Sequence, residues 1–192
     1  MQEKQSKDLS QIRSLEEGLT QLQIKHWQTF SGFDTWQLWF IIVMMIVSLV
    51  VLFILIDKKN ILLLGFFGLN YHVWFHYTNA IGIRMGLWEY PYQMIPFLPS
   101  FALDAALVPV SYILLYQWTL KHDKNIYLYS LLLSGFFAFI FKPILVSLDF
   151  FHMYKGINYL HLFLFYMIFL IVSKLITNLF VWLQQKQYEN KT

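Results

Sequence analysis

Two oppositely charged residues, Asp104 and Lys142, lie within apolar stretches long enough to form membrane helices. Asp104 follows Phe97 by seven residues, and Lys142 precedes Asp149 by seven. Because an α-helix rises 1.5 Å per residue, both side chains are expected about 10 Å below the same membrane surface. A charge in the bilayer core costs several kcal/mol unless it is paired or hydrated. The spacing therefore predicts an Asp104–Lys142 ion pair or a shared hydrated pocket.

Further polar side chains are expected around this pair. His72, His76 and Asn79 recur on one face of a helix, in the half nearest the same surface. Ser100 and His161 are predicted to complete the wall of a binding pocket. Two histidines one turn apart can bind zinc, but the His-Glu-x-x-His pattern of metalloproteases is absent. We predict no metal, no cofactor and no catalytic residue.

The charged pair has more than one interpretation. The leading one is a pocket that binds or passes a small solute, an ion or a lipid headgroup, because ionisable groups inside a membrane are functional candidates by default. In the alternative, the protein is a structural or sensory partner and the pair only fixes helix packing, or Lys142 extends its stem toward the headgroups. A membrane-embedded enzyme is the least favoured class, since no nucleophile–base arrangement is visible.

The composition places these residues in an all-α integral membrane bundle. The 192 residues are 58% hydrophobic, 20% aromatic and only 13% charged, whereas a soluble domain carries about 25% charge. There is no cysteine, and the net charge of +3 forms no basic stripe, which argues against a nucleic-acid partner. Five transmembrane helices are predicted, at 36–56, 61–83, 97–118, 126–149 and 158–183. They form one domain, 36–186, between a peripheral segment, 1–35, and a polar tail, 187–192.

The segment 1–35 carries an amphipathic helix. Ile12, Leu15, Leu19 and Leu22 recur at steps of three and four residues and form one apolar stripe. The pattern favours a helix on the membrane surface or on its own bundle. The alternative is a short coiled coil with a protein partner or with a second copy of the chain. No signal peptide is visible, because the first apolar block begins late and no small-residue cleavage site follows it.

The distribution of basic residues predicts the orientation. Five spans place the termini on opposite sides; we call the side of the first residue face A and the other side face B. Six basic residues fall on face B: Lys58, Lys59, Lys121, Lys124, Lys186 and Lys191. Only three lie close to the spans on face A: Lys25, Arg84 and Lys155. The positive-inside rule makes face B cytoplasmic, so the amino terminus is predicted outside and the carboxyl terminus in the cytoplasm.

The loop between the second and third spans is predicted to be stiff and to lie at face A, because it combines prolines with aromatic residues. Its candidate site residues are Arg84, Glu89, Tyr90 and Pro91. Arg84 and Glu89 are expected to pair across the loop or to contact a lipid headgroup. In the following span, Pro109 predicts a kink.

The run Gly86-Leu87-Trp88-Glu89-Tyr90-Pro91, followed by Pro96, Asp104 and Pro109, resembles an uncharacterised family of small multi-pass membrane proteins from spore-forming Gram-positive bacteria. In that family a Glu-Tyr-Pro loop precedes an apolar helix with an acidic residue and a proline. The acid is often Glu there, so Asp104 is shorter by one methylene. The resemblance covers roughly residues 61–183. It implies a bacterial plasma membrane protein and no known activity.

Overall fold

The computed structural model describes residues 2–189 and is 78% helical, which confirms the all-α class. Residues 190–192 of the predicted tail, including Lys191, lie outside the described part. Seven α-helices are present in residues 2–189: α1 (Gln2–Phe30), α2 (Trp36–Leu55), α3 (Ile61–Arg84), α4 (Val108–Lys121), α5 (Ile126–Phe136), α6 (Lys142–Ser147) and α7 (Tyr159–Glu189). Two-residue strands, β1 (Trp88–Glu89) and β2 (His152–Met153), complete the fold.

Four helical segments are long and apolar enough to cross a membrane. They are Trp36–Leu55, Leu103–Lys121, Ile126–Ser147 and Tyr159–Gln187. These segments indicate a membrane location. The helix α3, which covers the second of the five predicted spans, is less apolar and is not among the four.

The polar character of α3 follows from its central position. It packs against α4 and α7, and Leu64, Phe67, Tyr71 and Phe75 form its buried face at steps of three and four residues. Polar residues next to this packed face can be satisfied by neighbouring helices, whereas the opposite face of α3 is exposed. The Tyr71 ring stacks on Tyr112 of α4 at 4.2 Å between centroids, in the middle of the core.

Two π-helical turns interrupt the bundle helices, and each is followed by a proline. In Leu103–Leu107 and Phe137–Phe141 the backbone amides bond to carbonyls five residues back. Pro109 and Pro143 lack the amide hydrogen that a continuous α-helix requires, and a wider turn accommodates that loss. The irregularity predicted at Pro109 therefore takes the form of a π turn. One turn contains Asp104, and the other ends immediately before Lys142.

The amphipathic helix α1 lies at the face A end of the bundle. Glu16 pairs with Arg84 at the end of α3, with 2.5 Å between Oε1 and Nη2. Trp27 Nε1 donates to the Gln93 carbonyl at 3.0 Å. The residues of the apolar stripe are all more than half exposed: Leu9, Ile12, Leu15, Leu19 and Leu22. The helix α1 therefore contacts the chain's own bundle through Glu16 and Trp27, while its apolar stripe stays uncovered within the described residues.

The strands β1 and β2 form a short antiparallel clasp at the same end. Trp88 faces Met153 across the ladder, and Glu89 faces His152. The backbone amide of Tyr154 adds a bond of 2.8 Å to the Leu87 carbonyl. The pairing joins the loop after α3 to the loop before α7, a contact that the sequence did not predict.

Candidate functional site

Asp104 is buried, and its carboxylate is held by polar side chains of α3 and of the segment before the π turn. Oδ2 accepts from Ser100 Oγ at 2.6 Å and from Asn79 Nδ2 at 2.9 Å. His76 Nδ1 lies 3.3 Å from the same oxygen, at the edge of the cluster where the imidazole is 41% exposed. His72 Nδ1 is 2.6 Å from the Asp104 carbonyl, so this nitrogen must carry a hydrogen. These five residues, all named in the predicted pocket, lie within hydrogen-bond distance of one another or of Asp104.

Asn79 connects the cluster to the loop after α3. Its Nδ2 donates to Asp104 and to Ser100, and its Oδ1 accepts from Trp88 Nε1 at 2.6 Å and from the Tyr90 hydroxyl at 3.2 Å. The amide is 6% exposed, and every one of its polar atoms is bonded. A buried amide with all partners present fixes the orientation of each group that it touches.

Lys142 is equally buried but has few polar partners. Its ammonium donates to the Tyr90 hydroxyl at 3.4 Å and lies 3.6 Å from the centroid of the Phe151 ring. A cation over an aromatic face gains about 2 kcal/mol when both are desolvated. The ring therefore replaces part of the hydration that the ammonium loses.

The predicted direct ion pair between Asp104 and Lys142 is wrong. Within residues 2–189, the carboxylate pairs with His76 and the ammonium reaches Tyr90 instead. Tyr90 and Asn79 occupy the position between the two charges. The result is a chain of hydrogen bonds from Lys142 to Tyr90, from Tyr90 to Asn79, and from Asn79 to Asp104.

Two small cavities lie on either side of Tyr90. The first, of about 30 Å³, is lined by Lys142, Asn79 and Tyr90 together with Phe151, Leu162 and Tyr166. The second, of about 20 Å³, is lined by Ser100, Tyr90 and apolar residues of α2. A water molecule needs about 10–15 Å³ measured in this way. Both cavities therefore have room for one or two water-sized species.

His161 does not belong to the cluster, and its prediction as part of the pocket wall is wrong. It is exposed, and its Nδ1 lies 2.9 Å from Asn158 Oδ1 at the start of α7. Because Asn158 Oδ1 also accepts the backbone amides of Leu160 and His161, the polar groups here cap a helix. The neighbouring residue Leu162 lines the cavity instead.

The predicted pairing of Arg84 with Glu89 is also wrong. Arg84 binds Glu16 of α1, and Glu89 Oε1 accepts from the Tyr154 hydroxyl at 2.5 Å. Pro91 offers only its carbonyl, 3.0 Å from His26 Nε2. The loop is tied to α1 and to β2 rather than to itself.

A second polar cluster lies on the exposed side of the clasp. His152 Nε2 is 2.6 Å from Asp149 Oδ1, and its Nδ1 is 3.2 Å from Glu89 Oε1. The hydrogen bond to Glu89, reinforced by Asp149, raises the pKa of His152 above its usual value of 6.5 despite partial burial. The Tyr154 hydroxyl and His152 lower the pKa of Glu89. A protonated imidazole donates from both nitrogens and so satisfies both carboxylates.

Sequence reasoning missed Trp88 and Phe151 as parts of these clusters. In a chain with 20% aromatic residues, a single aromatic side chain carries little signal. The one available signal is the order Trp88-Glu89-Tyr90, in which an acid stands between two aromatics. In an extended strand this order places the aromatics on one side and the acid on the other.

No group of three or more His, Cys, Asp or Glu side chains that could hold a metal ion occurs within residues 2–189. Comparison with family models, with curated proteins and with solved structures finds no match to this chain. The resemblance to the Gram-positive membrane family remains a prediction.

Proposed function

We propose that this chain is a five-span bacterial plasma membrane protein that binds or passes a small ion at the buried cluster of Asp104, Asn79, Tyr90 and Lys142. One observation supports it above all others. Two opposite charges are both buried, yet they are linked by neutral side chains instead of touching each other. A pair serving only to lock the bundle would gain most by direct contact, because attraction in a low-dielectric interior offsets desolvation only at short distance.

The volume of the cavities selects the size of the ligand. About 30 Å³ beside Lys142 accommodates a species the size of one or two waters, which favours an ion over an organic solute or a lipid headgroup. Among the three ligand classes that the sequence allowed, an ion is therefore the one we retain.

The hydrogen bonds of Asp104 and Lys142 indicate whether the bound ion is a cation or an anion. The Asp104 carboxylate already accepts from Ser100, Asn79 and His76, so a cation would have to displace these donors. The Lys142 ammonium has three hydrogens and donates one long bond to Tyr90. We therefore assign the site to a small inorganic anion, held in the cavity by Lys142.

The amphipathic helix supports the membrane placement. At 3.6 residues per turn, Glu16 and Trp27, which contact the bundle, lie roughly 60–80° around α1 from Leu19 in the stripe. When α1 lies beside the bundle at face A, this angle points the stripe toward the bilayer surface. An interfacial position buries leucines that are otherwise exposed. With α3 as a span, the amino terminus is outside and the carboxyl terminus is cytoplasmic.

The experiment measures the thermal unfolding of the purified chain in nanodiscs, with chloride or bromide replacing gluconate at constant sodium. A ligand that binds only the folded state raises stability with concentration. We expect both halides to raise the unfolding midpoint, and we expect Lys142→Met to abolish this rise while Lys174→Met retains it. No halide effect in the unmodified chain, or an unchanged effect in Lys142→Met, contradicts the proposal.

Two further results separate the competing functions. A stabilisation by sodium over a large organic cation that disappears in Asp104→Asn identifies a cation site and overturns the anion assignment. In a structural lock, Asp104→Asn and Lys142→Met each lose accumulation, and an apolar double variant, Asp104→Leu with Lys142→Met, restores it. A partner protein bound through α1 would be lost from purified material when Leu15 and Leu19 are changed to Glu.

A further inference from the structure

The clasp has two chemically different sides. Strand residues alternate in direction, so Trp88 and Tyr90 point inward while Glu89 points outward. On the opposite strand, Phe151 is buried and the next residue, His152, reaches the exposed cluster. The three inward aromatics all line the cavity beside Lys142. Any displacement of Glu89 or His152, whose side chains point outward, must therefore move the aromatic side chains that line the cavity.

The backbone pairing alone is too short to hold this wall in place. A ladder of two residues on each strand is far below the size of a stable isolated sheet. The amide of Tyr154 bonds to the Leu87 carbonyl, the Tyr90 and Phe151 rings contact each other on the inward side, and the outward side chains add further contacts between the two loops. Tyr154 bonds to Glu89, His152 bridges Glu89 and Asp149, and Lys155 Nζ bonds to the Met85 carbonyl.

We propose that the clasp is a pH-sensitive lid, closed over the Lys142 cavity when His152 is protonated and loosened when it is neutral. A neutral imidazole has one hydrogen, so it can donate to Glu89 or to Asp149 but not to both. The carboxylate that loses its donor then faces the lone pair of a ring nitrogen. The clasp either loses the bond from His152 to Glu89 or keeps it without the bond to Asp149 that orients the imidazole. The proposal rests on the proposed function for what enters the cavity, but not for the opening itself.

The charged groups around His152 set the direction of the effect. They are Glu89 on β1, Asp149 and Tyr154 on its own loop, and His26 on α1, which lies close enough to Glu89 to affect it. Because the pKa of His152 is raised, its contribution is complete below pH 6.5 and disappears as the pH rises through the raised value.

Glu89 sets the acidic limit of the closed state. Its lowered pKa means that its contribution is present above its usual value of 4.5 and is lost as the pH falls through the lowered value. The lid is therefore most firmly closed in the weakly acidic range between these two transitions.

The absence of cysteine makes the opening directly measurable. In the full chain in nanodiscs, Leu162→Cys places one thiol in the buried wall of the cavity. Its rate of modification by a cationic methanethiosulfonate reagent is divided by that of Ser14→Cys on exposed α1, which corrects for the pH dependence of thiol reactivity. We expect the corrected rate to be several-fold higher at pH 8 than at pH 6, because the raised pKa of His152 places the loss of its second donated hydrogen bond on the alkaline side of pH 6.5.

A second substitution identifies the responsible residue. In the Leu162→Cys background, His152→Gln should make the thiol at position 162 react rapidly at both pH values. His161 is an exposed histidine at the same end, and His161→Gln should leave the pH dependence of the parent unchanged. If His152→Gln does not accumulate, Glu89→Gln removes the opposite partner and should give the same result. Corrected rates that are equal at both pH values, or a pH dependence that persists in His152→Gln and Glu89→Gln, overturn the lid. A pH-dependent rate without any halide effect retains the lid and rejects the anion.

Discussion

Each half of the bundle contains a cluster of one lysine, one tyrosine and one asparagine: Lys142, Tyr90 and Asn79 near face A, and Lys174, Tyr116 and Asn178 nearer face B. In the face B cluster the lysine stands in the centre. Lys174 donates to the Tyr116 hydroxyl at 2.8 Å and to Asn178 Oδ1 at 2.7 Å, and it is only partly buried. Its charge is satisfied by these two neighbours, as expected for a lysine whose stem extends toward headgroups.

In the face A cluster the same three residue types are arranged in series. Lys142 reaches only the hydroxyl of Tyr90 among these groups, and the amide of Asn79 lies beyond it, bonded to Asp104. The same three residue types therefore form two different hydrogen-bond arrangements. The face B arrangement stabilises one charge locally, whereas the face A arrangement makes two charges depend on neutral groups between them. This difference is why we place the function near face A and treat the face B cluster as its control.

The largest difference between the halves is expected for the two asparagines. Asn79→Leu removes the acceptor of Trp88 and Tyr90 and a donor to Asp104, and each orphaned buried group costs about 1–3 kcal/mol. We expect the free energy of unfolding to fall by about 4 kcal/mol. Asn178→Leu, on an exposed position, should cost less than about 1 kcal/mol.

Titration of both variants with SDS in mixed micelles measures these changes. Equal losses of unfolding free energy in Asn79→Leu and Asn178→Leu would mean that the series arrangement gives no additional stability. The proposed difference between the two clusters would then be wrong. Asn79→Asp serves as a second test, because it keeps the acceptor oxygen for Trp88 and Tyr90 but replaces the donor facing Asp104 with a like charge. We expect this variant to be destabilised more strongly as the pH rises.

The helical members of the site near face A were predictable, but its aromatic members and its connections were not. Helical periodicity put His72, His76 and Asn79 on one face, and the rise per residue put Asp104 near them. Both inferences depend only on local geometry within a helix. The position of Tyr90 depends on how the irregular segment 90–100 folds back over the bundle, and no period in the sequence encodes that.

Similar reasons explain the other differences. His161 lies at the predicted end of its helix, but its ring contacts Asn158, which caps the helix three residues earlier. The clasp between Trp88–Glu89 and His152–Met153 joins segments more than sixty residues apart, and its two-residue strands are too short for alternation to be recognised. The four helical segments long and apolar enough to cross a membrane were predictable because length and apolarity are properties of continuous segments.

A glycine pair in α3 sharpens the comparison at the level of packing. A Cβ on Gly82 would overlap the ring of Trp88, whereas a Cβ on Gly65 meets nothing within 4 Å. Gly82→Ala must push the indole away from Asn79, and overpacking of this kind costs typically 1–3 kcal/mol, so we expect about 2 kcal/mol. Gly65→Ala should be neutral or stabilising, since alanine favours a helix by up to about 1 kcal/mol.

The fluorescence of the tryptophans adds a structural readout to this pair. Gly82→Ala should expose or reorient Trp88, and Trp88→Phe in both backgrounds assigns the change to that residue. If Gly82→Ala is as stable as Gly65→Ala and leaves the emission spectrum unchanged, Trp88 is not held against α3, and Asn79 has lost one of its two orienting donors.

The smallest expected difference concerns the two tyrosine hydroxyls, and it tests the series arrangement most directly. Tyr90→Phe keeps the ring but removes the group that accepts from Lys142 and donates to Asn79, so two buried partners lose a bond. Tyr116→Phe removes one partner of Lys174, which still donates to Asn178. We expect losses of roughly 1.5 kcal/mol and 0.5 kcal/mol, because net hydrogen-bond contributions are about 0.5–1.5 kcal/mol each.

A double-mutant cycle measures whether each tyrosine is energetically coupled to Asp104. If Tyr90 joins the two charges, Tyr90→Phe and Asp104→Asn should be strongly non-additive, since residues of one network couple by about 0.5–3 kcal/mol. Tyr116→Phe with Asp104→Asn should be additive, because these residues share no partner among the contacts described. Additivity in both cycles would mean that the carboxylate does not depend on the tyrosine, and that Lys142 and Asp104 are two independent buried charges.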